Sequence, residues 1–227
     1  MFVRNVYFIY KTLKIFTAQK GELNIFTSKS LIHLFFLNFQ LCNDPLGGSF
    51  HVYSVQTVFR KEISMKEIIE RKGNLIEDDE VTIICHQTNC FHTMGGGIAL
   101  QIRNKWPNVY AEDGQYNKLV GSKGIFGTLL MCKTNDRRSN GRNIFVANLY
   151  GEYDYHVKQA TDYKMLGRAL DELAEKMQSP FYNGDVIGFP KYLGCGLAGG
   201  DWGVVYPMIQ DFAKKINQQV IIDEFVP

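Results

Sequence analysis

The stretch "VTIICHQTNCFHTMGGGIALQI", residues 81–102, holds the features that decide the fold. It opens with "VTIICHQ", a short apolar run rich in β-branched residues, which predicts a buried strand. The segment that follows places Ile98, Ile102 and Lys105–Trp106 at helical spacing before Pro107, which predicts an amphipathic helix. A polar turn with three consecutive glycines connects the strand to the helix, so this region is typical of an α/β protein.

The alternation of strands and helices continues through the rest of the body. Five further segments predict strands: "EIIERKG", "IFGTLLMCK", "NIFVANLYG", "DVIGFP" and "QVIIDEF". "DYKMLGRALDELAEKMQ", with Thr161 as its N-cap, and "DWGVVYPMIQDFAKKI" predict helices. This order favours a largely parallel sheet covered by helices on both faces.

Composition narrows the class of protein. The formal net charge of the 227 residues is +2, which demands neither nucleic acid nor an anionic membrane as a partner. The five cysteines are odd in number and follow no disulfide framework; they are Cys42, Cys85, Cys90, Cys132 and Cys195. We therefore expect reduced thiols and a cytoplasmic protein.

The first 64 residues differ from the rest of the chain. They hold 7 Lys and Arg against 3 Asp and Glu, and nine of the sixteen Phe, with poor helical or strand periodicity. Lys11 and Lys14 interrupt the apolar run that a signal peptide needs. "LIHLFFLNFQLC" is shorter than the roughly 20 apolar residues of a membrane helix. Neither a signal peptide nor a membrane span is predicted.

Our hypothesis for residues 1–64 is that translation of the natural protein starts at Met65. Lys61 and Glu62 can be encoded as AAG GAG, a bacterial ribosome-binding sequence, and Ile63 and Ser64 would supply the spacer. Residues 1–64 would then be an atypical extension outside the native protein, and residues 65–227 the working domain. An additional helical or disordered extension is the alternative.

Metal and nucleophile interpretations of the cysteines fail on residue spacing. Cys85 and His86 are adjacent on a predicted strand and point to opposite faces, and no CxxC pair occurs, so no metal site is predicted. Cysteine phosphatases place an arginine six residues after the nucleophile, but the sixth residue after Cys195 is Asp201. A nucleophilic role for Cys195 is therefore not expected.

The glycines indicate a phosphate site instead. "MGGGIA" and "GCGLAGGDW" each lie where a predicted strand meets a predicted helix, and each can offer consecutive backbone N–H groups to an anion. Two such turns in one α/β body suggest a groove that holds a diphosphate between them. No GxGxxG is present, which argues against a dinucleotide-binding fold.

With these turns, the sequence resembles the macrodomain superfamily, whose members are ADP-ribose-binding modules. The matching parts are "KGNLIE" (72–77), "HQTNCFHTMGGGIALQIRNKWP" (86–107), "NLYGE" (148–152) and "LGCGLAGGDWGVV" (193–205). The resemblance is closest to the ADP-ribose 1″-phosphate phosphatase branch, including phage-type members. It rests on a histidine three residues before the asparagine of "HQTN", on Gly-Asn after the first strand, and on "GGGIA". It implies a three-layer α/β/α fold with a mixed, largely parallel sheet.

The resemblance also implies roles for residues. Asn89 would bind the distal ribose, Asn74 and Leu75 would lie near the adenine, and Tyr150 would pack on the distal ribose. The two phosphate loops would comprise Gly95, Gly96, Gly97 and Ile98, and Gly194, Cys195, Gly196, Leu197, Ala198 and Gly199. Many macrodomains have an aspartate where this chain has Asn74, which weakens the expected recognition of the adenine amine.

The candidate catalytic residues are His86 and Asn89. Imidazole titrates near neutral pH, so His86 could act as acid or base, the alternative being a hydrogen-bonded histidine of the core. His92 is predicted to be a solvent-facing loop residue. Tyr150 could equally be an ordinary half-buried tyrosine, and Asp201 is predicted to cap the helix that follows it.

The function implied is hydrolysis of the terminal phosphate of ADP-ribose 1″-phosphate, without metal or cofactor, by a monomer that needs neither membrane nor nucleic acid. One alternative is removal of ADP-ribose from modified protein or nucleic acid. Branches that act on ADP-ribosylated glutamate use a lysine and an aspartate where this chain has Tyr150 and Ala198, which argues against that mechanism. A non-catalytic ADP-ribose-binding module is the other alternative.

Overall fold

The computed structural model describes residues 66–226 and the backbone of four strands among the first 59 residues. The chain divides into two compact units, Met1–Glu62 and Ile63–Pro227. The hypothesis of a start at Met65 falls on a residue outside the described ones.

The first unit contains two antiparallel strand pairs. β1 (Lys14–Gln19) pairs with β2 (Glu22–Phe26), and β3 (Phe35–Cys42) pairs with β4 (His51–Phe59). The periodicity of this part of the sequence predicts no strands. Its richness in Phe and Ile is nevertheless compatible with them, because aromatic and β-branched residues are favoured in strands.

The second unit contains one six-stranded sheet. Its strands are β5 (Ile69–Lys72), β6 (Ile83–Asn89), β7 (Leu129–Arg137), β8 (Asn143–Glu152), β9 (Val186–Pro190) and β10 (Gln219–Glu224). Their order across the sheet is β5-β10-β9-β6-β8-β7, and every neighbouring pair is parallel except β7 with β8. The mixed, largely parallel sheet confirms the predicted fold class.

The helices are α1 (Gly97–Lys105), α2 (Pro107–Val120), α3 (Ser122–Ile125), α4 (Tyr163–Lys176) and α5 (Trp202–Ala213), with a 3₁₀ turn at Pro180–Tyr182. Leu166 of α4 and Ile209 of α5 pack with Ile83 on one face of the sheet. Ile102 of α1 and Val109 of α2 pack with Ile84 on the opposite face. The fold therefore has three layers, with central strands buried on both faces.

Two details of the helices differ from the sequence prediction. Helix α4 is capped by Asp162, whose carboxylate accepts a hydrogen bond from the backbone N–H of Met165 (3.0 Å), and not by Thr161. Helix α2 is not predicted at all, because its sequence lacks an apolar stripe. The predicted cap Asp201 is confirmed, since its side chain accepts from the N–H of Gly203 at 2.8 Å.

Among the described residues, no helix is long enough and apolar enough to be a membrane span.

Candidate functional site

The loops that carry the candidate residues meet at one edge of the sheet. Strands β6, β8 and β9 are parallel, so the segments that follow them all leave from the same edge. In open α/β sheets this carboxyl edge is where ligands bind. The first glycine loop (residues 90–97) follows β6, the β8 loop (residues 153–161) follows β8, and the second glycine loop (residues 191–200) follows β9.

The first glycine loop is built from unusual backbone conformations. His92 and Met94 have positive φ values of 55° and 37°, although neither is glycine. Gly96 is the N-cap of α1 and provides no side-chain cap, and Gly97 has φ 55°. The amide groups at the start of α1 are therefore free of a side-chain cap, as a phosphate-binding helix N-terminus requires.

The second glycine loop is held by its own backbone and by the β8 loop. Gly194 and Gly199 both have φ 67°, which favours glycine, and the N–H of Gly200 donates to the carbonyl of Gly194 at 2.9 Å. The carbonyl of Ala198 accepts from the N–H of Ala160 at 2.9 Å. These contacts fix the loop in a tight curve at the carboxyl edge.

The two glycine loops approach each other. A Cβ added to Gly96 would lie 2.7 Å from Cδ1 of Leu197, so the side chain of the second loop rests on the bare backbone of the first. Leu197 is otherwise 87% exposed. The structure thus brings together the two glycine turns that the sequence predicts to face a common ligand.

Asn89 lies at the base of the first glycine loop and is 8% exposed. Its side-chain amide donates to Oγ1 of Thr93 at 2.5 Å, and its carbonyl oxygen accepts from the N–H of Phe91 at 2.9 Å. In this arrangement the side chain of Asn89 shapes the loop. Its predicted contact with a ribose stays a prediction.

His86 is fully buried on the α2 side of β6. Its Nε2 lies 2.7 Å from Oδ1 of Asn148, an acceptor, so Nε2 carries the proton. Burial lowers the pKa of His86, which keeps the imidazole neutral at pH 7. These surroundings are those of a hydrogen-bonded histidine in the core. The catalytic role of His86 stays a prediction.

Asp113, in the middle of α2, connects several candidate residues and was not anticipated from the sequence. Its carboxylate, 1% exposed, accepts from the hydroxyl of Tyr150 at 2.6 Å and from the amide of Asn148 at 3.3 Å. It also accepts from Nδ1 of His92 at 2.6 Å. The only sequence signal was an acidic residue within an otherwise unpatterned segment.

Tyr150 and Leu75 are buried in this structure. Tyr150 has no exposed surface, and burial raises its pKa well above the usual value, with the charge of Asp113 acting in the same direction. Leu75 is 3% exposed and packs in the α1–α2 side of the core, while Asn74 beside it accepts from the N–H of Ile76 at 3.1 Å. The side chains of Tyr150 and Leu75 therefore present no accessible surface to a ligand at the glycine loops.

Cys195 is half-buried in the second glycine loop, where its thiol donates to the carbonyl of Leu193 at 3.2 Å. Burial raises the pKa of the thiol, and the negative charge of Asp201 raises it further. The thiolate is therefore disfavoured, in agreement with the sequence-based argument against a nucleophile.

Glu152 is a further residue of the site, and no sequence pattern marks it, although it ends the matched segment "NLYGE". It is the last residue of β8 and the register partner of Asn89. Burial raises the pKa of Glu152, and a hydrogen bond from Gln87 opposes that rise. The side chain of Gln87 also donates to Oγ1 of Thr161 at 2.9 Å. Thr161 in turn donates to the carbonyl of Gly194 at 2.7 Å, which links β6 to the second glycine loop.

A cleft of about 670 Å³ lies beside this link. It is lined by the β8 loop, the beginning of α4 and Phe126, and includes Tyr153 and Thr161. Among the described residues, no three His, Cys, Asp or Glu side chains are grouped so that they could hold a metal ion.

No protein-family model matches the sequence. An uncharacterized 17.5 kDa protein in the tk-vs intergenic region of Enterobacteria phage T4 is 26% identical over 140 residues, which cover 62% of this chain and 84% of that protein. The macrodomain of Mycobacterium tuberculosis DarG has a TM-score of 0.59 at 19% identity, covering 70% of this chain and 97% of that one. Thermosipho africanus DarTG in complex with ADP-ribose also has a TM-score of 0.59 at 19% identity, covering 72% of this chain and 43% of that one. The likeness to these two solved structures establishes a shared fold.

Proposed function

We propose, from the premise that this chain has the macrodomain fold, that it binds ADP-ribose and hydrolyses the terminal phosphate of ADP-ribose 1″-phosphate. The observation that carries the proposal is the approach of the two glycine loops at the carboxyl edge of the sheet, where Leu197 rests on Gly96. A shared fold alone does not imply a shared ligand, so the proposal depends on these local features. The solved complex of Thermosipho africanus DarTG with ADP-ribose supports the choice of ligand.

In the proposed complex the diphosphate lies between the loops. Backbone N–H groups of residues 95–98 and 194–199 would donate to the phosphate oxygens, and the N-terminus of α1 would add its partial positive charge. Asn89 would turn its amide towards the distal ribose hydroxyls, exchanging the bond to Thr93 for one to the ligand. Asn74 would border the adenine after β5, and Leu75 would do so through its main chain, because its side chain is buried. Binding of the remote adenosine would then position the terminal phosphate for reaction.

The proposed reaction is attack of water on the terminal phosphorus. The phosphorus–oxygen bond to the sugar breaks, and the anomeric oxygen takes a proton, which yields ADP-ribose and inorganic phosphate. His86 is our candidate for proton transfer, but its full burial means that the site would have to open for it to contact substrate. Glu152 is the second candidate, because its partly buried carboxyl, with a raised pKa, borders Asn89.

The direct test measures phosphate release from ADP-ribose 1″-phosphate by wild-type protein and by the Asn89→Ala, His86→Ala and Glu152→Gln variants. We expect Asn89→Ala to weaken ADP-ribose binding in calorimetry. We expect His86→Ala or Glu152→Gln, whichever moves the proton, to lower kcat on the order of 100-fold with binding kept. Equal release by wild-type and all three variants would end the phosphatase proposal. Absence of ADP-ribose binding by the wild-type would end the ligand proposal as well.

A second candidate function is removal of ADP-ribose from a modified protein or nucleic acid. The cleft of about 670 Å³, which is lined by the β8 loop and the beginning of α4, favours it, since a group attached to the distal ribose would need room beside the glycine loops. Tyr150 and Ala198 stand where a lysine and an aspartate act in glutamate-directed branches, which argues against that mechanism. Release of ADP-ribose from a modified polypeptide or oligonucleotide distinguishes this activity from phosphate release. Binding without turnover of either substrate would identify a non-catalytic module.

A further inference from the structure

We infer that His92 is a positioning residue, held by helix α2, which sets the backbone of the first glycine loop and thereby the affinity for a phosphate-bearing ligand. This inference deepens the proposed function and rests on it for the identity of the ligand. The group of residues that holds His92, called here the α2 clamp, consists of Tyr110, Asp113 and Gly114.

The α2 clamp contacts His92 on three sides. The imidazole stacks on the ring of Tyr110 with centroids 3.9 Å apart and planes inclined by 20°. Nδ1 donates to Oδ2 of Asp113 at 2.6 Å. The hydroxyl of Tyr110 donates to the backbone carbonyl of His92 at 3.3 Å, so both the side chain and the main chain of this loop residue are fixed.

Gly114 supplies the third side by having no side chain. A Cβ built there would lie 2.7 Å from Nε2 and 2.9 Å from Cε1 of His92. Gly114 is in the interior of α2, where glycine is unfavourable for the helix. The space left for the imidazole accounts for a glycine at this position.

His92 needs such support because its backbone is strained. Its φ of 55° lies in the left-handed region that L-residues rarely adopt, and Met94 two residues later has φ 37°. Strained conformations of this kind persist only where the surroundings determine them. The contacts of the α2 clamp hold His92 in this conformation, next to the residues proposed to bind phosphate.

The backbone conformation of His92 fixes the positions of the neighbouring residues that are proposed to contact the ligand. Thr93, the next residue, accepts a hydrogen bond from Asn89, which is the residue proposed to bind the ribose. Gly95 and Gly96 follow within three and four residues. Asp113 also accepts from Tyr150, so the clamp is anchored to β8 as well as to the loop.

The test compares two helical glycines in the full chain. Gly114→Ala places a methyl group against His92, whereas Gly167→Ala in α4 meets only Cε of Met208 at 3.5 Å, an ordinary contact. Both changes raise helix propensity equally. We expect the Kd for ADP-ribose, measured by calorimetry, to rise at least tenfold in Gly114→Ala and to stay unchanged in Gly167→Ala.

A double-mutant cycle separates positioning from general damage to the helix. In a His92→Ala background the imidazole is absent, so Gly114→Ala should add no further loss of affinity. His92→Ala alone should weaken binding because Ala lacks the anchor. The inference is overturned if Gly114→Ala binds like the wild-type, or if it costs as much with His92 as without it.

Hydrogen exchange of the backbone amides of residues 90–97 gives a readout that needs no ligand. We expect faster exchange in Gly114→Ala and His92→Ala than in the wild-type or Gly167→Ala. If the wild-type does not bind ADP-ribose, the proposed function fails, while this exchange pattern still decides the positioning role. Unchanged exchange in both variants would overturn that role.

Discussion

At the scale of single residues, Glu152 has a carboxyl group whose ionisation the fold opposes, because burial raises its pKa. The native protein then binds this proton more tightly than the unfolded chain. Stability therefore falls as pH rises from the unfolded pKa of glutamate through the higher folded pKa. Glu152→Gln should increase the free energy of unfolding at pH 7, and this gain should vanish below about pH 4.

Urea unfolding at the two pH values measures this effect. Glu175→Gln is the control, since Glu175 is exposed on α4 and its replacement should change stability little at either pH. A Glu152→Gln variant that is less stable than the wild-type at pH 7 would mean that the carboxylate is held there by net favourable interactions.

The histidines show where residue-level prediction stops. The sequence predicts a solvent-facing loop residue at His92. The loop position is confirmed, but the side chain is only 28% exposed and is bonded to Asp113. Its partners lie 18 to 22 residues along the chain in α2, and no local pattern reports them. The glycines, in contrast, act through their own backbone, so their positions at two strand-to-helix junctions could be predicted from the letters alone.

At the scale of elements, α2 and α4 explain why one helix is predictable and the other is not. Leu166, Leu170 and Leu173 give α4 an apolar stripe that predicts its buried face. The buried positions of α2 are Val109, Asp113 and Gly114, two of which serve His92 instead of the core. Because the buried face of α2 makes a polar contact, its sequence has no hydrophobic periodicity from which the helix could be predicted.

The N-cap of α4 provides an element-scale prediction. Asp162→Ala removes the acceptor of the Met165 N–H and should lower the free energy of unfolding by about 1 kcal/mol. Asp211→Ala is the matched control, because Asp211 forms an exposed ion pair with Lys214 and its loss should change the free energy of unfolding little. Chemical denaturation of both variants tests the assignment, and equal stabilities would contradict it.

At the scale of the whole molecule, every candidate site residue lies in the second unit, between Asn74 and Gly199. We predict that a chain of residues 65–227 folds, and that its ADP-ribose affinity and melting temperature match those of the full chain. Calorimetry and thermal unfolding of the two chains measure this. An insoluble or non-binding shorter chain would contradict it.

Intact-mass measurement of natively expressed protein separately tests the start at Met65, since a mass that includes residues 1–64 would refute that hypothesis.

The fold of this unit follows from its sequence better than the site does. Strand runs such as "VTIICHQ" and "QVIIDEF" are short, apolar and β-branched because both faces of the sheet are covered, so they are recognisable one by one. The site depends on pairs that meet only after folding, such as Gln87 with Thr161 or Asn89 with Glu152. Such pairs have no signature within any single segment.

The strand order has a consequence for synthesis on the ribosome. β5 is the first strand of the sheet to be made, yet its only neighbour in the sheet is β10, the last. Ile69 therefore has no strand partner until Ile221 has left the exit tunnel. By then β6, β7, β8 and β9 are already free to pair with one another. Nascent chains stalled before residue 219 would lack the strand that pairs with β5, so this edge of the sheet forms after β6, β7, β8 and β9 can pair.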